Sequence, residues 1–257
     1  MTFNTLCDFC TKKTNDSFPK RIKQITKVVA THKADLISLQ EIRTGQQARE
    51  IFSNLPNYSV HFYANPFISY ADATIAVNTQ KFKVLEMGHK WLNPTGSAFG
   101  LGWKSALPRI VVYSVVKERK TNKKFIFIGS HFDNRIENMM GSASIVNNLI
   151  DEKAMPVIFA ADTNATVDFR GYHNLVKSRL TNSFLARDRG IASSSSADLC
   201  YLRKGNIFPA CRVDHILYSK NSIFKPISWK IDTSRFGANK RFPSDHRPVI
   251  ANFTLID

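Results

Sequence analysis

Apolar residues recur along the chain with two different periods. Between Phe18 and His32 they fall at Ile22, Ile25, Val28 and Val29, with lysine and arginine between them, which predicts an amphipathic helix with Asp16 and Ser17 as capping candidates. Glu137 to Ile150 repeats that spacing, with Ile145, Leu149 and Ile150 on one face. The remaining apolar runs are short and rich in β-branched and aromatic residues. They predict strands at Asp35–Gln40, Tyr58–Tyr63, Ala73–Asn78, Phe82–Gly88, Arg109–Val116, Lys124–His131, Pro156–Ala161, Val213–Tyr218, Ile223–Ile231 and Pro248–Leu255. Thr121-Asn122-Lys123 suits a hairpin turn. Asn93–Ser105, Gly190–Asn206 (with its serine run Ser193–Ser196) and Asp232–Pro243 read as loops, long enough to carry function. No Pro/Ser-rich linker divides this alternation, so a single strand-rich α/β domain over residues 1–257 is expected.

A second feature recurs along the chain: a hydrophobic run, then a cluster of carboxylate, amide and imidazole groups. Met1-Thr2-Phe3 leads into Asn4, and Leu36–Leu39 into Gln40-Glu41. Phe125–Gly129 leads into Ser130-His131-Phe132-Asp133-Asn134, and Val157–Ala161 into Asp162-Thr163-Asn164. Asp214-His215 lies in the Val213 run, and Ser244-Asp245-His246-Arg247-Pro248 precedes the last strand. One such cluster is ordinary turn chemistry; six in one chain point to strand ends that converge on one pocket. Oxygen donors without thiolates suit Mg²⁺, Mn²⁺ or Ca²⁺ rather than zinc. Imidazole beside carboxylate suits proton transfer near neutral pH.

Charge narrows the partner. The chain has 36 Lys plus Arg against 20 Asp plus Glu, a formal charge of +16, which attracts polyanions and favours a phosphate-bearing substrate, DNA or RNA among them. The longest apolar runs, such as Val157–Ala161, fall far short of the ~18 residues a membrane helix needs. Of the four cysteines, Cys7 and Cys10 have C-x-x-C spacing, but no second pair at comparable spacing completes a zinc site, so they are read as ordinary thiols. Cys200 and Cys211 are left open as thiols or as a bridge.

The six motifs, in this order and spanning the chain, resemble the endonuclease/exonuclease/phosphatase superfamily with its DNase I-like fold. Trp91-Leu92-Asn93-Pro94 and Gly102–Arg109 are further similar to a bacterial branch of it. The resemblance implies a four-layer sandwich, two mixed β-sheets packed face to face and flanked by helices. It also implies a monomeric, Mg²⁺- or Mn²⁺-dependent phosphoesterase. Glu41, Asn4 and Asp245 would hold the metal. His246 would be general base, oriented by Asp214; His131 would bind a phosphate oxygen, oriented by Asp72; Asp162 and Asn164 would position the water and stabilise developing charge; Arg109 would clamp phosphate. Arg43, Tyr70, Asn134 and Trp103 are the expected substrate contacts. A nuclease-like phosphodiesterase is the leading expectation. Alternatives are a phosphatase, a sphingomyelinase-like phospholipase C in which Trp91, Phe99 and Trp103 meet lipid, and a non-catalytic polyanion-binding module. The segment around Asp214 is partly similar to inositol polyphosphate phosphatases but departs from them at His215 and at Asn164-Ala165-Thr166. Relatives place a longer strand ahead of Met-Thr-Phe-Asn, so the natural start is expected to lie earlier or to be trimmed. A cytoplasmic location is the default without a visible signal, and export follows if the chain starts earlier. Alanine replaces the usual glycine at Ala161, which requires that this backbone avoid positive φ.

Overall fold

The computed structural model describes residues 1–10, 17–63, 72–98, 100–177, 179–186, 195–197, 211–220, 222–237 and 240–256. Twelve strands and four helices follow one another as β1 (Thr2–Asn4), α1 (Phe18–His32), β2 (Leu36–Gln40), α2 (Gly45–Ile51), β3 (Tyr58–Phe62), β4 (Ala73–Asn78), β5 (Phe82–Trp91), β6 (Ile110–Glu118), β7 (Lys124–His131), α3 (Ile136–Lys153), β8 (Val157–Asp162), α4 (Arg170–Val176), β9 (Leu180–Asn182), β10 (Asp214–Ser219), β11 (Phe224–Ile231) and β12 (Val249–Leu255). They form two six-stranded sheets, ordered β11-β12-β1-β2-β4-β3 and β5-β6-β7-β8-β10-β9. Within each sheet one neighbouring pair is parallel, β1 with β2 and β7 with β8; α1 bridges the first pair and α3 the second.

Burial separates the four layers. α1 and α2 cover the outer face of the first sheet through Phe18, Ile22, Ile25, Val29, Ile37, Leu39 and Ile51. α3 and α4 cover the second through Val146, Leu149, Phe159, Leu175 and Leu217. Between the sheets lie Ile75, Val77, Val112, Phe125, Phe127, Ile216 and Trp229. This is the expected four-layer sandwich, and strands that read as continuous apolar runs, such as β8, are those covered on both faces. Among the described residues no helix is long and apolar enough to cross a membrane.

Local chemistry sets the element ends. α1 follows Ser17, whose side chain makes no capping bond, and a left-handed Lys33 at φ 44° ends the helix; Asp16 lies outside the described residues. α2 rests instead on a capping box between Thr44 and Gln47. Ala161 lies within β8 and is absent from the positive-φ positions, so the alanine is accommodated without strain.

The cysteines depart from expectation. Cys7 and Cys10 are disulfide-bonded, because the turn that lets the Cys10 N–H donate to the Cys7 carbonyl brings their Cα atoms to 5.1 Å. Cys211 is disulfide-bonded as well, and Cys200 lies outside the described residues.

At Gly129 of β7 the two sheets approach closely. A Cβ there would collide with Ile75 Cγ2 and lie 2.7 Å from Ser38 Oγ on the facing sheet. Gly129→Ala is therefore expected to lower the unfolding free energy in urea by about 1–3 kcal/mol, the cost of overpacking a dense interior. An unchanged midpoint would contradict this approach.

Candidate active site

Strand direction gathers the polar groups at one edge. Parallel β1 and β2 deliver Asn4 and Gln40-Glu41 together, and parallel β7 and β8 deliver His131 beside Asp162. Antiparallel β10 begins at Asp214 opposite Asp162, and antiparallel β4 begins one residue after Asp72, opposite Gln40. Arg109 immediately precedes β6, and the Ser244–His246 segment leads into β12.

Asn4 joins the two sheets. Its buried Nδ2 donates to Glu41 Oε1 at 2.9 Å and to Asp162 Oδ2 at 3.0 Å. Glu41 adopts φ 64°, a left-handed conformation uncommon for a side chain of this size, and its Oε2 accepts the Cys7 N–H at 2.6 Å. Asn164 is also left-handed, at φ 51°, held there by an Asx turn in which its N–H donates to Asp162 Oδ1 at 2.9 Å.

Two imidazoles flank Asp162. His246 donates from Nδ1 to Asp214 Oδ2 at 2.9 Å, and the same nitrogen lies 3.7 Å from Asp162 Oδ2. His131 donates from Nδ1 to Asp72 Oδ1 at 2.8 Å, while its Nε2 lies 3.4 Å from Asp162 Oδ2 and 3.1 Å from Asn164 Nδ2. Arg109 donates to Asp72 Oδ2 at 2.6 Å and to Asp133 Oδ2 at 3.3 Å.

Buried charge is balanced unevenly across this edge. Burial raises the Asp72 carboxyl, but Arg109 and His131 more than reverse it and hold the group at about 2. Burial and the neighbouring Asp162 push the Asp214 carboxyl up to about 6, against the pull of His246. Burial disfavours the charged His246 ring, yet Asp214 and Asp162 outweigh burial and raise it well above the ordinary histidine value. Asp162, Asp214 and His246 each bring one ligand atom within 4.8 Å of the others. Among the described residues, Asp214 Oδ1 is buried with no hydrogen-bond partner. Such an excess of buried oxygen donors fits a hard divalent cation.

The other expected residues are placed less centrally. Asp245 sits beside His246, its Oδ1 accepting from Ser244 Oγ at 3.2 Å. Arg43 turns away toward the cysteine loop, donating to Asp8 at 3.3 Å with its guanidinium over the Phe9 ring. Asn134 is exposed where β7 leaves the sheet, and Trp103 packs on Gly141 of α3. Trp91 is buried between the sheets; Tyr70 and Phe99 lie outside the described residues.

Four further residues, to which the sequence assigned no role, support the site. Asp133 shares Arg109; Ser244 Oγ donates to the Asn4 carbonyl at 2.7 Å; Ser196 Oγ accepts the N–H groups of Val213 and Asp214. Arg21, buried on an otherwise apolar helix face, donates to the carbonyls of Thr5, Leu6 and Pro243 and so ties the Asn4 and His246 segments together. The signal available for it was a cation at an apolar helical position, next to Ile22 and one turn before Ile25.

A profile of the Endonuclease/Exonuclease/phosphatase family matches residues 1–246. The chain belongs to this family. Its enzymes are phosphoester hydrolases that generally use divalent metals, as the acidic edge of the two sheets would suit. The chain is similar to an endonuclease/exonuclease/phosphatase family protein of Bacteroides thetaiotaomicron, with 24% identity and a TM-score of 0.84 over 100% of this chain and 96% of that one. It is also similar to a mannosyl-6-phosphatase from Bacteroides thetaiotaomicron, with 24% identity and a TM-score of 0.81 over 99% of this chain and 98% of that one. An uncharacterized protein of Acanthamoeba polyphaga mimivirus is 25% identical over 250 residues, 89% of each chain.

Arg109→Ala would leave Asp72 and Asp133 buried without their shared cation, and a loss of about 3–5 kcal/mol is expected in denaturant unfolding. The depressed Asp72 carboxyl contributes stability above the unfolded value of 3.8 and loses it as pH falls through about 2. The acid-unfolding midpoint of the variant should accordingly move to higher pH; an unmoved midpoint would deny Arg109 this role.

Proposed function

We propose that this protein is a divalent-metal-dependent phosphoesterase that hydrolyses a phosphodiester by in-line attack of water, in the manner of a nuclease. The observation carrying this reading is the His246–Asp214 pair beside Asp162, with Asn4 tying Asp162 to Glu41 across the sheet gap. Asp214 fixes the Nδ1–H tautomer of His246, which leaves Nε2 to accept a proton from water. Asp162, beside His246 and His131, would orient that water. His131 and Asn164 would supply donors to the phosphate, where charge develops as phosphorus becomes pentacovalent. Mg²⁺ or Mn²⁺, held by Glu41 and Asn4 with Asp245 alongside, would neutralise phosphate oxygens and assist the leaving group. The net charge of +16 supports DNA or RNA as the substrate. A second reading, hydrolysis of a phosphomonoester, is favoured by the likeness to a mannosyl-6-phosphatase.

The test is a substrate panel of plasmid DNA, single-stranded RNA, bis-p-nitrophenyl phosphate, sugar phosphates, inositol phosphates and sphingomyelin, with Mg²⁺, Mn²⁺ or EDTA. EDTA should abolish turnover, and His246→Ala should lower it by ~10²–10⁴. Because the two carboxylates raise His246, kcat/KM should climb with pH through an acid limb above ~6.5. Asp214→Asn should move that limb to lower pH. Binding of a nucleic acid should weaken steeply with salt, whereas a small monoester should show little dependence. Equal turnover by wild type and His246→Ala would defeat the assignment.

A further inference from the structure

The loop after β1 holds a feature that the hydrolytic reading leaves unused. Cys7 is buried and Cys10 exposed, and their disulfide lies against the arm that presents Glu41. The Cys7 N–H donates to Glu41 Oε2 at 2.6 Å. Asp8, between the two cysteines, accepts from Arg43 and Gln47 at 3.3 Å each, which fastens the loop to the chain just beyond Glu41. Cys7, Cys10 and Glu41 each offer one ligand atom, all within 4.8 Å of one another. No second cysteine pair follows to complete a zinc site; the fold supplies the third ligand from Glu41, just after β2, instead.

We propose that reduction of the Cys7–Cys10 disulfide opens a site for a thiophilic divalent cation, Zn²⁺ in particular, built from the two thiolates and the Glu41 carboxylate. A dithiol reductant delivers two electrons and two protons to the disulfide, breaking the S–S bond and closing to its own disulfide. Zn²⁺ then displaces one proton from each thiol, and water completes a tetrahedral shell of two sulfurs and two oxygens. Thiolate selects Zn²⁺ where the oxygen-rich edge selects Mg²⁺ or Mn²⁺. One carboxylate cannot serve both sites freely, so zinc on the cysteine loop draws Glu41 from the phosphoester site. Cys10 is exposed, which lets a reductant approach this loop. This last consequence rests on the metal role proposed for Glu41; the zinc site itself does not.

Cobalt titration followed by absorbance tests the site without any hydrolytic readout. The full chain is reduced with a phosphine, which takes up one oxygen from water as the disulfide becomes two thiols. It is then desalted under anaerobic conditions, checked by thiol assay, and titrated with Co²⁺. A sulfur-to-cobalt charge-transfer band should grow to one Co²⁺ per chain and vanish on adding Zn²⁺. The band should be absent from oxidised protein and from the Cys7→Ser/Cys10→Ser variant. Glu41→Gln should weaken cobalt binding at least tenfold. A Cys200→Ser/Cys211→Ser variant leaves Cys7 and Cys10 as the only cysteines and should keep the band; should that variant not fold, the difference between wild type and Cys7→Ser/Cys10→Ser carries the same information. Loss of the proposal follows from a disulfide that resists the phosphine, from a reduced protein with no band, from a band that survives Cys7→Ser/Cys10→Ser, or from unchanged affinity in Glu41→Gln. In a parallel Mg²⁺-supported assay, one equivalent of Zn²⁺ should slow the reduced protein at least tenfold more than the oxidised one. Absence of hydrolysis in every arm would count against the phosphoesterase reading and leave the cobalt result to decide the zinc site.

Discussion

A single amide, Asn4 Nδ2, donates to carboxylates that belong to different sheets, Glu41 beside β2 and Asp162 at the end of β8. Those two residues are far apart in sequence, and nothing local could bring them together. The bond forms because each sheet contains one parallel strand pair, and parallel neighbours end at the same edge. Packing the sheets face to face then sets the two edges opposite each other, at a spacing that Gly129 keeps close. The site is thus a consequence of topology, and the side chains at it are those the topology leaves at strand termini.

Electrostatics divides the edge into two halves. On one side Arg109 lies between Asp72 and Asp133 and, with His131, neutralises buried acid within the protein itself. On the other side Asp214 pairs with His246, Asp162 lies between His246 and His131, and one Asp214 oxygen is left without a partner among the described residues. A self-neutralised half can bind and orient phosphate oxygens without reorganising. A half short of positive charge suits a cation and a proton acceptor. Preorganisation of this kind is typically the largest contribution to catalysis by a hydrolase.

Much of the fold was legible in the sequence because long elements carry strong periodicity. α1, β4 and β7 have the boundaries that the apolar pattern predicted, and the residues of the strand-end clusters Asn4, Glu41, His131, Asp162 and His246 lie near one another. The short elements α2, α4 and β9 were not legible. α2 is specified by the Thr44–Gln47 capping box rather than by an apolar stripe, and β9 takes its identity from pairing with β10. Arg43 was misplaced because sequence adjacency to Glu41 says nothing about side-chain direction, and Asp8 with Phe9 offered it a nearer partner. The bond between Cys7 and Cys10 depends on a turn whose conformation composition does not determine. The partners of Asp133 and Arg21 are far away in the sequence, so local pattern can mark these residues but not the contacts they make.

On the function proposed here, the strand ends form one cation-dependent hydrolytic centre. Diffraction from crystals of the oxidised protein soaked in Mn²⁺, recorded at the manganese absorption edge, tests it most directly. One strong anomalous peak is expected between the two sheets, within coordinating distance of Glu41 and beside Asn4 and the Asp162–His246 group. Peaks found only at surface acids, with the strand-end edge empty at saturating Mn²⁺, would contradict it.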